Sequence, residues 1–128
     1  MNPTEYLIVI KTTIVANPII ASHQITRQRS SDYDAYIRVI ASFIDNSRLE
    51  IMEYARITVE DDMELTRYSY HWMDSDNNLL IRWDNAEHYP DLPNFPYHLH
   101  DGDEKNVVPG EPMNISRVLD LIAERLEK

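Results

Sequence analysis

Two alternating segments on either side of a turn constrain this chain more than any other feature in it. Glu64 to Met73 puts Tyr68, Tyr70 and Trp72 on one face by the two-residue period of a strand, and Arg67, Ser69 and His71 on the other. Asp74 to Asn78 (DSDNN) is turn chemistry, and Leu79 to Asp84 (LLIRWD) returns antiparallel. With Asp76 and Asn77 as a two-residue loop, His71 faces Arg82, Ser69 faces Asp84, Trp72 meets Ile81 and Tyr70 meets Trp83. A three-residue loop would set Arg82 against Trp72 and mix polar with apolar groups, so the first register is expected. One face of the hairpin is then apolar and needs cover, while the other carries groups able to do chemistry.

The segments around the hairpin supply that cover. Pro3 stands where a first helical turn tolerates it, and Tyr6 to Ile14 continues as a short helix with Tyr6, Ile10 and Ile14 on one stripe. Asn17-Pro18 breaks it, and Ile19 to Arg29 turns to the alternation of a strand that contains His23. Ala35 to Ile44, rich in Tyr, Ile, Val and Phe, suits a central strand, and Asp45-Asn46-Ser47 reads as a tight hairpin into Leu49 to Thr58. Val59 to Asp62 is an acidic, solvated connection. Near the other end Val107-Val108 can form a short edge strand, and Asn114 can cap a helix whose Ile115, Val118, Leu119, Ile122 and Leu126 make one apolar stripe. The expectation is one α+β domain over residues 1–128: an antiparallel meander of about five strands with an N-terminal and a C-terminal helix.

Composition removes several function classes. There is no cysteine, so disulfides, thiolate zinc sites, iron–sulfur clusters and cysteine nucleophiles are excluded, and any metal must be held by His, Asp or Glu. The longest apolar run, Leu7 to Ile10, is too short to cross a bilayer, and nothing near Met1 has the pattern of a secretory signal; a cytoplasmic protein with no membrane contact is expected. The formal net charge of −10 opposes non-specific attraction to a polyanion, although a local basic groove can exist on an acidic protein.

Chemistry is expected where the histidines gather. His88, His98 and His100 follow the hairpin closely, among Pro90, Pro93 and Pro96, which hold the chain in a stiff path. His98 and His100 are two apart, so in an extended segment both imidazoles point the same way with Cβ atoms ~7 Å apart. Three uses of these groups are open. With His88, Asp84 or His71 as a third ligand, the pair can hold a divalent metal such as zinc, iron, nickel or manganese, as in a metal-dependent hydrolase. Without metal, imidazoles drawn from His71, His88, His98 and His100 can act as general base and acid on a phosphodiester, with Arg82 offsetting charge on the phosphate and Tyr89 and Tyr97 hydrogen bonding to or stacking on RNA bases. In a purely structural role Pro90, Leu92, Pro93, Phe95 and Pro96 would cover the exposed edge of the meander, His98 and His100 would bond to backbone or to Asp84, and Arg82 would make a buried pair with Asp84. That last arrangement would suit a non-enzymatic protein-binding module.

The run YSYHWMDSDNNLLIRWDNAEHYPDLPNFPYHLH resembles the hallmark of the TumE-type toxin family of prokaryotic toxin–antitoxin modules. That hallmark is Tyr-x-Tyr-His-Trp, then Arg-Tyr/Trp-Asp-Asn-Ala-Pro-His-His-Pro, then Phe-Pro-His-His-x-His. Upstream, Asp45-Asn46-Ser47-Arg48-Leu49-Glu50 and Glu53-Tyr54 resemble the family's Asp-Gly-Ser-x-Leu-Glu and Glu-Tyr segments. The resemblance implies a toxin held in check by an antitoxin protein, and it points to His71, Arg82, Asp84, Asn85, His88, His98 and His100 as site residues. Ribonuclease activity is the expectation drawn from the histidine and arginine chemistry. Tyr89 and Tyr97 replace family histidines and Glu87 replaces a proline, which puts in question whether the site keeps its full set of groups.

Overall fold

The computed structural model describes residues 1–128. Helix α1 (Pro3–Ala16) leads into β1 (Ile20–Ser30), β2 (Asp34–Phe43), β3 (Arg48–Ile57), β4 (Met63–Met73), β5 (Leu79–Asp84), β6 (His98–Asp101) and β7 (Val107–Pro109), and α2 (Ile115–Leu126) closes the chain. The strands form one sheet in chain order, antiparallel throughout. Seven strands therefore stand where the alternation predicts about five. The two beyond the five are β6, four residues long and too short to show a period, and β7, which is the short edge strand expected at Val107-Val108. β6 begins two residues after Pro96 and is recruited by the free edge of β5. That edge is thus paired by a strand, not covered by the prolines.

The start of α1 is fixed by a capping box. Asn2 Oδ1 accepts the Glu5 amide at 2.8 Å while the Glu5 carboxylate accepts the Asn2 amide at 3.1 Å, so the helix begins at Pro3, three residues ahead of the apolar stripe that announces it. Its buried stripe is Leu7, Ile10 and Ile14, and Tyr6 sits half-buried beside it. α1 lies on β1, β2 and β3. α2 starts at the Asn114 cap, whose side chain accepts the Arg117 amide at 2.9 Å, and buries Ile115, Val118, Leu119 and Ile122 as its stripe predicts. The Tyr68 hydroxyl ties this helix to β4 by accepting the Met113 amide at 3.3 Å, and burial pushes that phenol up to about 12.

Both helices cover the same sheet face. It carries Ile37, Val39, Leu49, Ile51, Tyr70, Trp72 and Trp83, which with the helix stripes make up the core. One charged residue lies within it: Glu53, 1% exposed, takes the Tyr70 hydroxyl at 2.8 Å and the Tyr6 hydroxyl on its other oxygen. Desolvation raises the Glu53 carboxyl and both phenols, so the three groups share a proton-rich network in the middle of the core.

The hairpin register follows the segregation of side chains: Ser69 pairs with Asp84, Tyr70 with Trp83, His71 with Arg82 and Trp72 with Ile81. The loop end departs from a plain two-residue turn. A bulge shifts Met73 onto Leu79, and Asp74 binds back to the amides of Asp76 and Asn78. The uncovered face of the sheet is the polar one, and everything chemical in the chain's centre projects from it.

Candidate active site on the open sheet face

Arg82 and Asp84 on β5 and His98 and His100 on β6 are direct cross-strand partners, Arg82 opposite His100 and Asp84 opposite His98. All four share the open face because strand pairing preserves the alternation. Asp84, His98 and His100 each offer a donor atom within 4.8 Å of the others. Both imidazoles are almost fully buried, at 3% exposure. His98 and His100 thus sit on a strand, not on the proline-rich loop that the residue types suggest.

Backbone carbonyls set the tautomers. His98 Nδ1 donates to the Pro96 carbonyl at 2.9 Å and His100 Nδ1 donates to the Glu104 carbonyl at 2.8 Å, since a carbonyl oxygen can only accept. The Nε2 atoms then carry the lone pairs. That of His100 accepts Arg82 Nη2 at 3.1 Å. That of His98 is buried and has no partner. A carbonyl-anchored imidazole with an unpaired Nε2, as in His98, is the arrangement both of metal ligands and of general bases.

Arg82 is the hub. Its fork grips the Glu104 carboxylate at 3.0 and 2.9 Å, and its buried Nε lies 3.7 Å from Asp84 without a hydrogen bond. The Arg82 and Asp84 side chains keep 27% and 16% of their surface, so the buried pair of the structural reading is a partly open one. Across the sheet, a cleft of about 110 Å³ is lined by Arg38, Glu50, Ser69, His71 and Arg82 among others. Burial, followed by the Arg82 guanidinium, holds the His71 imidazole below its usual range. Glu104 was not legible as a site residue: it lies in a polar loop, Asp103-Glu104-Lys105, that carries no motif.

The proline-braced segment lies against this polar face. Tyr89 adopts φ +58°, uncommon for a bulky side chain, and its ring meets His98 edge-on at 5.2 Å and His100 at 6.3 Å between centroids. His88 is placed differently from its partners. It is exposed, stands 6.0 Å from the Tyr89 ring and is outside the Asp84, His98, His100 group. Tyr97 packs against the core, on the opposite side of the strand from His98, so a histidine there would not face this site. Asn85 is buried and serves the backbone: it accepts the Tyr68 amide and donates to the Thr66 carbonyl, both at 2.9 Å, extending the β4–β5 ladder by a side chain.

The family model of Toxin TumE matches residues 10–127. The chain belongs to the TumE toxin family. The match runs from inside α1 to the end of α2 and so takes in the whole sheet and every residue of the site. No curated protein and no solved structure shows a match to the chain. Two of the positions at which this TumE member departs from the family pattern now separate physically: Tyr89 sits over the imidazoles, whereas Tyr97 faces away from them. No helix is long and apolar enough to cross a membrane.

Proposed function

We propose that this protein is the toxin of a toxin–antitoxin module and that it inhibits growth by cleaving RNA at the Arg82, His98, His100 site. The observation that carries the proposal is the buried, unpartnered Nε2 of His98, grouped with Asp84 and with His100, whose own Nε2 accepts from the Arg82 guanidinium. A buried acceptor left unpaired costs ~1–3 kcal/mol, and such atoms are retained where a substrate or proton supplies the partner. In the proposed step His98 Nε2 takes the proton of a ribose 2′-hydroxyl, and the 2′-oxygen attacks the adjacent phosphorus. The bond to the 5′-oxygen breaks, leaving a 2′,3′-cyclic phosphate and a 5′-hydroxyl. Arg82 turns from His100 to the phosphate. That frees His100 Nε2 to hold the proton that the leaving oxygen takes, while Nδ1 stays bonded to the Glu104 carbonyl.

The test uses His98→Asn, whose amide can still donate to the Pro96 carbonyl but has nothing in place of Nε2. Expressed without an antitoxin, the parent chain should arrest growth and generate cyclic-phosphate RNA ends, and the variant should lose ~100-fold or more of the cleavage rate. Equal arrest by both proteins, with intact RNA, would overturn the proposal and favour a binding toxin.

A second reading is favoured by the donor set itself. Two imidazoles and the Asp84 carboxylate, all within 4.8 Å, suit a divalent transition metal. Arg82 opposes it, because a dication between these ligands must displace a guanidinium from His100. Under acid–base chemistry, tag-free protein should cleave RNA in the presence of a chelator, and zinc or manganese should leave its melting temperature unchanged. A rise of several degrees on adding either metal, absent in Asp84→Asn, would establish the metal site instead.

A further inference from the structure

The chain is acidic, yet its arginines are gathered on one surface. Seven of the nine lie on the open sheet face: Arg27 and Arg29 on β1, Arg38 on β2, Arg48 and Arg56 on β3, Arg67 on β4 and Arg82 on β5. The placement is not a plain consequence of alternation. Ile25 pairs with Val39 on the covered face, and a bulge between Ile25 and Arg27 then switches β1 so that Arg27 pairs with Arg38 and Arg29 with Tyr36 on the open face. Against the seven arginines the strands place four carboxylates on the same face, Asp34, Glu50, Glu64 and Asp84, and the loop after β6 adds Glu104, so it is still net positive on a protein of charge −10.

Five of these arginines make no ion pair: Arg27, Arg38, Arg56, Arg67 and Arg48, which instead donates to the Asn77 side chain, whereas Arg29 is paired to Asp34 at 3.2 Å and Arg82 to Glu104. Arg56 stands between Asp34 and Glu64 in the register, but Arg27 and Arg38 are direct cross-strand partners; like charges held side by side repel one another, and a polyanion relieves that repulsion. Aromatic groups lie between them. Arg29 and Arg38 stand 5.8 and 6.0 Å from the centre of the Tyr36 ring, and a shallow cleft is formed by Arg27, Arg29 and Tyr36. Flat sheet surfaces with guanidinium and aromatic planes hold unpaired bases by stacking and track a phosphate backbone by charge.

We infer that this arginine-lined face is a track for single-stranded RNA that leads across the sheet into the His98 and His100 site. The inference rests on the RNA-cleaving reading for its substrate class and adds where the strand lies. From β1 to β6 the track crosses five strand spacings of ~4.8 Å, roughly 24 Å, which accommodates a short run of nucleotides. A duplex is disfavoured, because its bases are already stacked and cannot reach Tyr36.

The test measures anisotropy of a labelled twelve-nucleotide RNA on His98→Asn protein, with and without Arg38→Gln and Arg67→Gln together. The doubly substituted protein should bind at least tenfold more weakly, and its salt slope should shrink by about 1.4, the value for two lost phosphate contacts on a single strand. Unchanged affinity and slope, absence of RNA binding at low salt, or equal binding of duplex would each overturn the track. So would loss of antitoxin capture, rather than of RNA binding, in the doubly substituted protein. The two proposals fail separately: RNA that binds with the expected slope but is never cleaved by the parent chain leaves the track and removes the enzyme. Cleavage with the same KM in the arginine variant does the reverse.

Discussion

Arg82→Gln should lower RNA cleavage by roughly 10²–10³-fold, the usual cost of deleting one preorganised charge at a developing anion. The substitution removes the donor to His100 Nε2, the fork on Glu104 and the cation beside Asp84 together. Three groups lose a partner at once, so the effect should exceed that of any single carboxylate change nearby. Partly exposed ion pairs contribute little to stability, at most about 1 kcal/mol each, and the melting temperature should fall by only a few degrees. His71 supplies a second readout. Burial is the main cause of its lowered titration point and the Arg82 guanidinium the next, so in Arg82→Gln that point should move up without reaching the ordinary value, followed by NMR of the ring protons. An Arg82→Gln protein that cleaves RNA at the parent rate would show that the phosphate is bound elsewhere.

Glu53→Leu should be the most destabilising exchange in the core. It strips the acceptor from the hydroxyls of Tyr6 and Tyr70, and each phenol left unpaired costs ~1–3 kcal/mol. Glu53→Gln keeps one acceptor and gains one donor, so it should fold well and differ mainly in its response to pH. Burial sets the folded carboxyl above its usual 4.5, so the folded state holds the proton more tightly than the unfolded chain does. The associated stability is fully present below the unfolded value. It declines as pH rises through 4.5 and levels off above the raised folded value. Asp34 and Asp74, lowered by hydrogen bonds, impose the opposite slope near their usual 3.8, so the comparison must be made as a difference between the two proteins. Melting curves from pH 4 to 8 should show Glu53→Gln gaining on the parent as pH rises. Parallel curves would mean that Glu53 does not titrate in that interval.

Much of the fold is written locally. The hairpin of β4 and β5 is legible because only one register separates Tyr70, Trp72 and Trp83 from His71, Arg82 and Asp84. α2 is legible because a single apolar stripe follows a capping asparagine. β6 is not, because four residues beside a proline run carry no period, and what makes them a strand is the unpaired edge of β5. The same limit applies to the site. His98 and His100 can be placed on a common face from their spacing, but their depth depends on Tyr89 above and Glu104 beside them; Tyr89 stands at a histidine position of the family pattern, and Glu104 has no motif.

The sequence by itself determined the face that His71, Arg82 and Asp84 share and membership of a toxin family, because alternation and a long specific motif are properties of the chain. Only the tertiary structure decided which groups meet. It set Asp84, not His88, beside His98 and His100, and it left one imidazole nitrogen without a partner. It also turned β1 over at a bulge, so that an acidic chain presents a basic face. The physical reason is common to all three: each depends on cross-strand pairing between residues far apart in the chain, and side-chain period alone does not specify which strands become neighbours.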